Sequence, residues 1–357
     1  MKIIIYGAGD YASLFLKRIA LNKNIEIVCF CETVKTIECF KGYKVIDISK
    51  LNEYNCDYIV VAIYEYEKVF DRICEEENYI ENKTKFIPWD NFINMINYMY
   101  GCGNETDSIC ELPCGTKYIF NSKDKTIGKR MLLTQKNWAQ DDIDYFFELT
   151  NKYYGHVNRQ GYFLDIGANI GTTSIYANKV LNTCLKVIAF EPGEENYKYL
   201  SINKLLNGLE CFDAYKLGIG DEKCKIKYSY CEDNSGGSHI NPRGSEFIEV
   251  TTLDSFVEEK NISVDMIDYI WIDTEGYEAK VVLGAAKCLK QKKIPLFQEF
   301  NPGSYDVDIF ENYFKILSCA YEGFVDVSEK KEYKIDDLKN YYIKNREIGR
   351  QSDIFFL

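Results

Sequence analysis

The sequence predicts an α/β protein made of two Rossmann-like, doubly wound units. Three observations carry this. Apolar strand-length runs alternate with segments of helical period, the signature of parallel sheets covered on both faces. A glycine turn follows the first strand of each half, at Gly7-Ala8-Gly9-Asp10-Tyr11-Ala12 and at Gly167-Ala168-Asn169-Ile170-Gly171. Between the halves, from about Met99 to Gly115, the rhythm breaks into glycine, cysteine, asparagine and acidic residues. The expected division is 1–95, a 96–115 linker and 116–357.

The 357 residues suffice for two domains, and a 46% hydrophobic fraction suffices for packed cores. A net charge of -12 disfavours a nucleic-acid partner, which needs a basic face for phosphates. Short Lys-Lys doublets (Lys292-Lys293, Lys330-Lys331) are read as solvated surface. No apolar run approaches a membrane span, and Met1–Gly7 reads as a strand, so a cytoplasmic protein is expected. The 14 cysteines are scattered without a disulfide framework, as suits reduced thiols. Cys102, Cys110 and Cys114 cluster, but lack a fourth zinc ligand of usual spacing.

In the first unit Lys2–Tyr6 is a strand, and the turn after it opens a helix with Leu14, Leu16, Ile19 and Leu21. Ile25–Phe30 leads to Glu32, Tyr58–Ile63 is a third strand, and Val69–Glu77 reads as a helix. From Thr116 the second unit opens with Tyr118–Phe120, a short turn and Met131–Thr134. Asp141–Tyr154 is a helix with acidic residues at its electropositive start. Seven strand candidates follow: Tyr162–Ile166, Lys186–Glu191, Glu210–Leu217, Asp268–Asp273, Pro295–Phe300, Phe324–Val327 and Asp353–Leu357.

Chemistry concentrates in the second unit. Phe163-Leu164-Asp165-Ile166-Gly167 runs from an apolar strand into a turn where Gly167 and Gly171 admit close backbone approach. The next strand ends in Glu191, whose carboxylate suits two ribose hydroxyls. This is a site for a nucleoside-containing cofactor, and its Asp-x-Gly-x-x-x-Gly spacing differs from the dinucleotide fingerprint. Downstream lie Asp273-Thr274-Glu275-Gly276-Tyr277-Glu278, then Pro295–Glu299 with its acidic end.

In order and spacing these motifs resemble the FkbM-type S-adenosylmethionine-dependent methyltransferases over roughly the last two-thirds of the chain. Trp271 departs from that resemblance, standing where the family usually carries lysine. The resemblance implies a seven-stranded methyltransferase sheet with an antiparallel last strand, and S-adenosylmethionine as cofactor. Asp165 would organise the turn or meet the cofactor's amine; Gly167, Asn169 and Gly171 would line its amino-acid end, and Glu191 its ribose. Asn203 and Asp221 are weaker adenosine candidates.

Methyl transfer to a hydroxyl needs a proton acceptor. Asp273, at a strand's C-terminal edge, leads the candidates, with Glu299 near it and His239 in the Gly/Ser loop Asn234–His239, which reads as a flexible cover. Glu275 and Glu278 either join this cluster or cap the next helix. A divalent metal on these carboxylates is the alternative. His156 reads as structural, and the Tyr64/Lys68 pair as a chance imitation of a dehydrogenase dyad.

The acceptor implied is a sugar or glycan precursor, nucleotide- or lipid-linked, in the line of polysaccharide biosynthesis. The N-terminal unit would hold a nucleotide or sugar-nucleotide, or serve docking and homodimerisation. Two other readings compete: a nicotinamide-dependent oxidoreductase using Gly7–Ala12, and a non-catalytic nucleotide-binding scaffold.

Overall fold

The computed structural model describes residues 1–19, 24–63, 86–89, 92–93, 107–155, 161–181 and 185–357. The chain forms two compact units, Met1–Thr106 and Asp107–Leu357. The expected helix Val69–Glu77, Tyr64, Lys68, Cys102 and His156 lie outside the described residues.

In the first unit β1 (Lys2–Tyr6), α1 (Asp10–Ile19), β2 (Glu26–Glu32), β3 (Cys39–Phe40), β4 (Tyr43–Asp47), β5 (Tyr58–Val61) and β6 (Phe86–Pro88) build a six-stranded sheet, ordered β3-β4-β2-β1-β5-β6. All its pairs are parallel except β3–β4. Alternate residues of β1 feed opposite faces: Ile3 and Ile5 pack with Phe15 of α1, Ile4 and Tyr6 with Cys29 and Cys31. Gly7 takes φ +102, where an added Cβ would lie 2.9 Å from the Ala62 carbonyl oxygen.

The second unit opens with the hairpin β7 (Asp107–Glu111) and β8 (Lys117–Asn121), so part of the stretch expected as linker is a paired strand. Met131–Thr134 closes the helix α2 (Ile127–Thr134), which starts where Asp124 accepts the Thr126 and Ile127 N–H groups. Then come α3 (Gln140–Tyr154), β9 (Tyr162–Ile166), α4 (Thr172–Tyr176), β10 (Lys186–Phe190), α5 (Glu194–Leu206), β11 (Phe212–Tyr215), β12 (Gly218–Ile219), β13 (Cys224–Ser229), β14 (His239–Ile240) and β15 (Glu246–Thr251). The chain ends with α6 (Leu253–Glu259), β16 (Ile267–Ile272), α7 (Glu278–Gly284), α8 (Ala286–Gln291), β17 (Leu296–Phe300), α9 (Val307–Ala320), β18 (Gly323–Asp326), β19 (Lys331–Lys334), α10 (Leu338–Glu347) and β20 (Ser352–Phe356).

The main sheet is ordered β11-β10-β9-β16-β17-β20-β18-β19. It has eight strands, not seven, because the charged segment Lys331–Lys334 adds an antiparallel edge. The last strand, β20, is inserted antiparallel between β17 and β18, as expected. One face carries Leu164, Ile166, Ile270, Ile272 and Phe300 into the largest core cluster. On the other, Phe163, Tyr269, Trp271, Phe297 and Phe355 surround Phe146 of α3. A four-stranded sheet, β12-β15-β13-β14, lies between β11 and β16 in sequence and carries His239. Strand order reverses between β9 and β16, the switch point where open parallel sheets leave a ligand crevice. No helix among the described residues is long and apolar enough to cross a membrane.

Candidate functional site

The crevice is built first by backbone. Gly167, Asn169 and Gly171 take φ values of +92, +50 and +91. A Cβ on Gly167 would sit 1.7 Å from the Asp273 carbonyl oxygen, so the turn packs directly on the end of β16. The Asp273 N–H in turn donates to the Ile166 carbonyl at 2.9 Å. Asp165, 1% exposed, accepts from the Ser174 N–H at 3.1 Å and from its hydroxyl, the contacts of a loop organiser. Burial pushes its carboxyl up to about 7.

Glu191 closes the next wall. Its carboxylate accepts the Gly193 N–H at 2.8 Å, the Asn169 N–H at 3.0 Å and the Tyr228 hydroxyl at 3.4 Å. Three donors leave roughly one of its four acceptor positions for a ribose hydroxyl. Burial outweighs those donors and lifts the carboxyl to about 7.

The cleft at this crevice holds about 1040 Å³, its mouth included, and is lined by Asn169, Glu191, Asp273, Glu275 and His239 together. Asp165, Gly171 and Glu299 stand behind its surface. Asp273 opens onto the cleft, while the protein packed around it, then Glu275, Asp353, Glu278 and Asp165, hold its carboxyl well above the usual range. Water in the open cleft moderates that push, and a ligand displacing the water would restore it. Glu299, half-buried beside Asp273, is pushed up to about 9 by burial first and then by Asp273, Glu278, Glu275 and Asp353.

The two motif glutamates divide. Glu278 is fully buried and accepts from the Thr274 N–H and hydroxyl, the Gly276 N–H and the Tyr305 hydroxyl. It holds the turn before α7 from within the core, and so neither caps nor solvates that helix as the alternative reading expected. Glu275, at φ +54, faces the cleft near His239, whose charge opposes the rise that burial gives its carboxyl.

His239 pairs Nδ1 with the Gly237 carbonyl oxygen at 2.9 Å. A carbonyl only accepts, so neutral His239 carries its proton on Nδ1 and leaves Nε2 as the acceptor. The Asn234–His239 segment, expected to be a flexible cover, is tied down at Ser235. Ser235 donates its hydroxyl to Asp124 at 2.7 Å, and its carbonyl accepts from Asn196 at 3.1 Å.

Asn203 is buried with its amide bonded to Ile119 and Ile170, and Asp221 pairs with Lys280 at 3.5 Å; neither lines the cleft. Residues that sequence reasoning missed are Trp138, Asn196 and Tyr228. Asn196 carried a signal, lying one turn into the helix that follows Glu191. Tyr228 reaches the site only through the pairing of β13 with β14 and β15.

The amide oxygens of Asn169 and Asn196 are buried in the cleft without a hydrogen-bond partner among the described residues. Such acceptors match a ligand bearing N–H groups, as S-adenosylmethionine does at its amine and adenine, so the lining fits that cofactor. No group of three or more His, Cys, Asp or Glu residues among the described residues is placed to hold a metal ion.

Residues 165–322 match the methyltransferase FkbM domain, and residues 1–85 match the C2185-like N-terminal domain. No curated protein sequence matches the chain. Among solved structures, the chain is similar to the methyltransferase FkbM of Methylobacillus flagellatus, at 14% identity and a TM-score of 0.32, covering 100% of this chain and 90% of that one. It is also similar to an O-methyltransferase of Bacillus cereus, solved with SAH, at 12% identity and a TM-score of 0.35, covering 61% and 80%. A SAM-dependent methyltransferase of Aquifex aeolicus gives 12% identity and a TM-score of 0.32, covering 60% and 88%. These structural likenesses are too distant to carry an assignment, which rests on the domain match. The match identifies residues 165–322, somewhat under half of the chain, as a methyltransferase domain of the FkbM type.

Proposed function

We propose that this protein transfers a methyl group from S-adenosylmethionine to a hydroxyl of a sugar or glycan precursor. The observation that carries this is the convergence on one cleft of the glycine turn, Glu191 and three candidate proton acceptors: Asp273, Glu275 and His239. The bound cofactor supplies an electrophilic methyl on a sulfonium. Asn169 and the turn hold its amino-acid end, Glu191 takes a ribose hydroxyl, and Asn196 accepts from an N–H group. Asp273 orients the acceptor hydroxyl and takes its proton as the C–O bond forms and the C–S bond breaks. His239 Nε2 is the second acceptor within the same cleft. In the N-terminal unit, the Gly7–Asp10 turn binds the nucleotide portion of an activated sugar.

Isothermal titration of the full chain tests the cofactor directly. S-adenosylhomocysteine should bind with roughly micromolar affinity, the usual range for small cofactors. Binding of NADPH instead would favour the oxidoreductase reading. Mass spectrometry of surface glycan from cells with and without the protein then looks for the methyl increment; an unchanged glycan would overturn the acceptor class.

A further inference from the structure

The cofactor cleft adjoins a second cavity of about 910 Å³, its mouth included, and Trp138, Ala139 and Asp273 line both. Its aromatic side is Trp271 and Phe297, register neighbours on β16 and β17 whose rings stack at 3.7 Å with 9° between planes. Both are almost fully buried, with Phe146 meeting Trp271 edge-on, so this wall is rigid. Two residues further along the same face stand Asp273 and Glu299, and the register of β17 with β20 sets Asp353 beside Glu299.

The polar side is unbalanced. Asp142 from α3, Asp273 and Asp353 all line the cavity, and among the described residues none of them is in an ion pair. Lys136 is committed to Asp141 at 3.5 Å, and the Arg130 guanidinium lies 5.4 Å from the Trp138 ring centre. Three carboxylates thus face one uncommitted cation. Burial and the neighbouring Asp142 push the Asp353 carboxyl up to about 7, as expected where countercharge is short.

We infer that this second cavity is the acceptor subsite, and that it selects a hydroxylated ring carrying a protonated amine, an amino sugar, over neutral and anionic rings. The inference rests on the methyltransferase reading. The carboxylates take the ammonium and hydroxyls of the ring, above a floor that Trp271 and Phe297 keep rigid. A uronate on that ring would add another anion to a cavity already short of countercharge. Asp273, common to both cavities, sets the ring hydroxyl beside the cofactor cleft.

The test uses the full chain saturated with S-adenosylhomocysteine near neutral pH. The methyl glycosides of glucosamine, N-acetylglucosamine, glucose and glucuronic acid are titrated and followed by ligand-observed NMR. The glucosamine should bind about tenfold or more tightly than glucose, and the glucuronide least, as a charge-assisted contact implies. Asp353→Asn and Asp142→Asn, which keep side-chain shape and relieve repulsion, should each erase the preference for the amine while S-adenosylhomocysteine affinity stays unchanged. Equal or tighter binding of glucose or glucuronide, no binding by any of the four, or a preference that survives both variants would overturn the inference. Failure of S-adenosylhomocysteine itself to bind would instead overturn the methyltransferase reading.

Discussion

Replacing Glu299 by glutamine should stabilise the protein, and more so as the pH rises. Glu299 sits half-buried in a row of carboxylates, and its Oε2 is buried without a hydrogen-bond partner among the described residues. Its folded-state carboxyl titrates at about 9, against 4.5 as its ordinary value. The folded protein therefore binds this proton more tightly than the unfolded chain does. The stabilisation is complete below about pH 4.5 and is lost progressively as the pH rises towards 9. At about 1.4 kcal/mol per pH unit the interval sets an upper bound near ~6 kcal/mol. Partial exposure and solvent relaxation bring the expected figure to about 2–3 kcal/mol. Glutamine is the uncharged isostere, so Glu299→Gln should match the wild type at pH 5 and exceed it by about that amount at pH 9. Urea denaturation of both proteins at pH 5, 7 and 9 measures this. A difference independent of pH, or a wild type that gains on the variant as pH rises, would refute the reasoning.

Three other outcomes are expected. Glu191→Ala removes the one carboxylate that faces the cleft from β10 and should raise the S-adenosylhomocysteine Kd about 10–100-fold; unchanged affinity would put the ribose elsewhere. Asp273→Asn should lower kcat about 10²–10⁴-fold with cofactor affinity retained, and near-normal turnover there, with loss in His239→Ala, would assign the proton to His239. Gly9→Val meets open space in the fold, so it should leave stability intact and raise the acceptor's KM, whereas Gly7→Val, at φ +102 against Ala62, should destabilise the first unit. A normal KM in Gly9→Val would leave that turn an architectural role.

The strands legible in the sequence were those whose burial writes itself as short runs dominated by apolar residues: Lys2–Tyr6, Tyr162–Ile166, Lys186–Phe190 and Ile267–Ile272. Strand β19 was not legible, because an exposed edge of Lys-Glu-Tyr-Lys has no core to face and reads as a loop. The two-residue strand bearing His239 is likewise too short for any periodicity. Gly167, Glu191 and Asp273 announced themselves by standing at strand ends in a fixed order. Their neighbours did not. Which of Glu275 and Glu278 turns inward depends on φ at Glu275 and on the Tyr305 hydroxyl, a residue brought in from after β17. Asn203 looked available as a ligand contact until its amide met the Ile119 and Ile170 backbone.

The contact between Gly167 and the Asp273 carbonyl has an evolutionary reading. It makes the glycine turn and the end of β16, where Asp273 stands, a single mechanical part, fixed by main chain. A side chain at position 167 cannot be tried, because any Cβ there breaks the part. Variation is left to the surfaces that merely adjoin it: Arg130 and Trp138 around α2, Asp142 at the start of α3, and the arm ending in His239. Under the proposed function, descendants of this chain exchange one acceptor for another by redrawing those surfaces, and the distance over which the methyl travels is inherited unchanged.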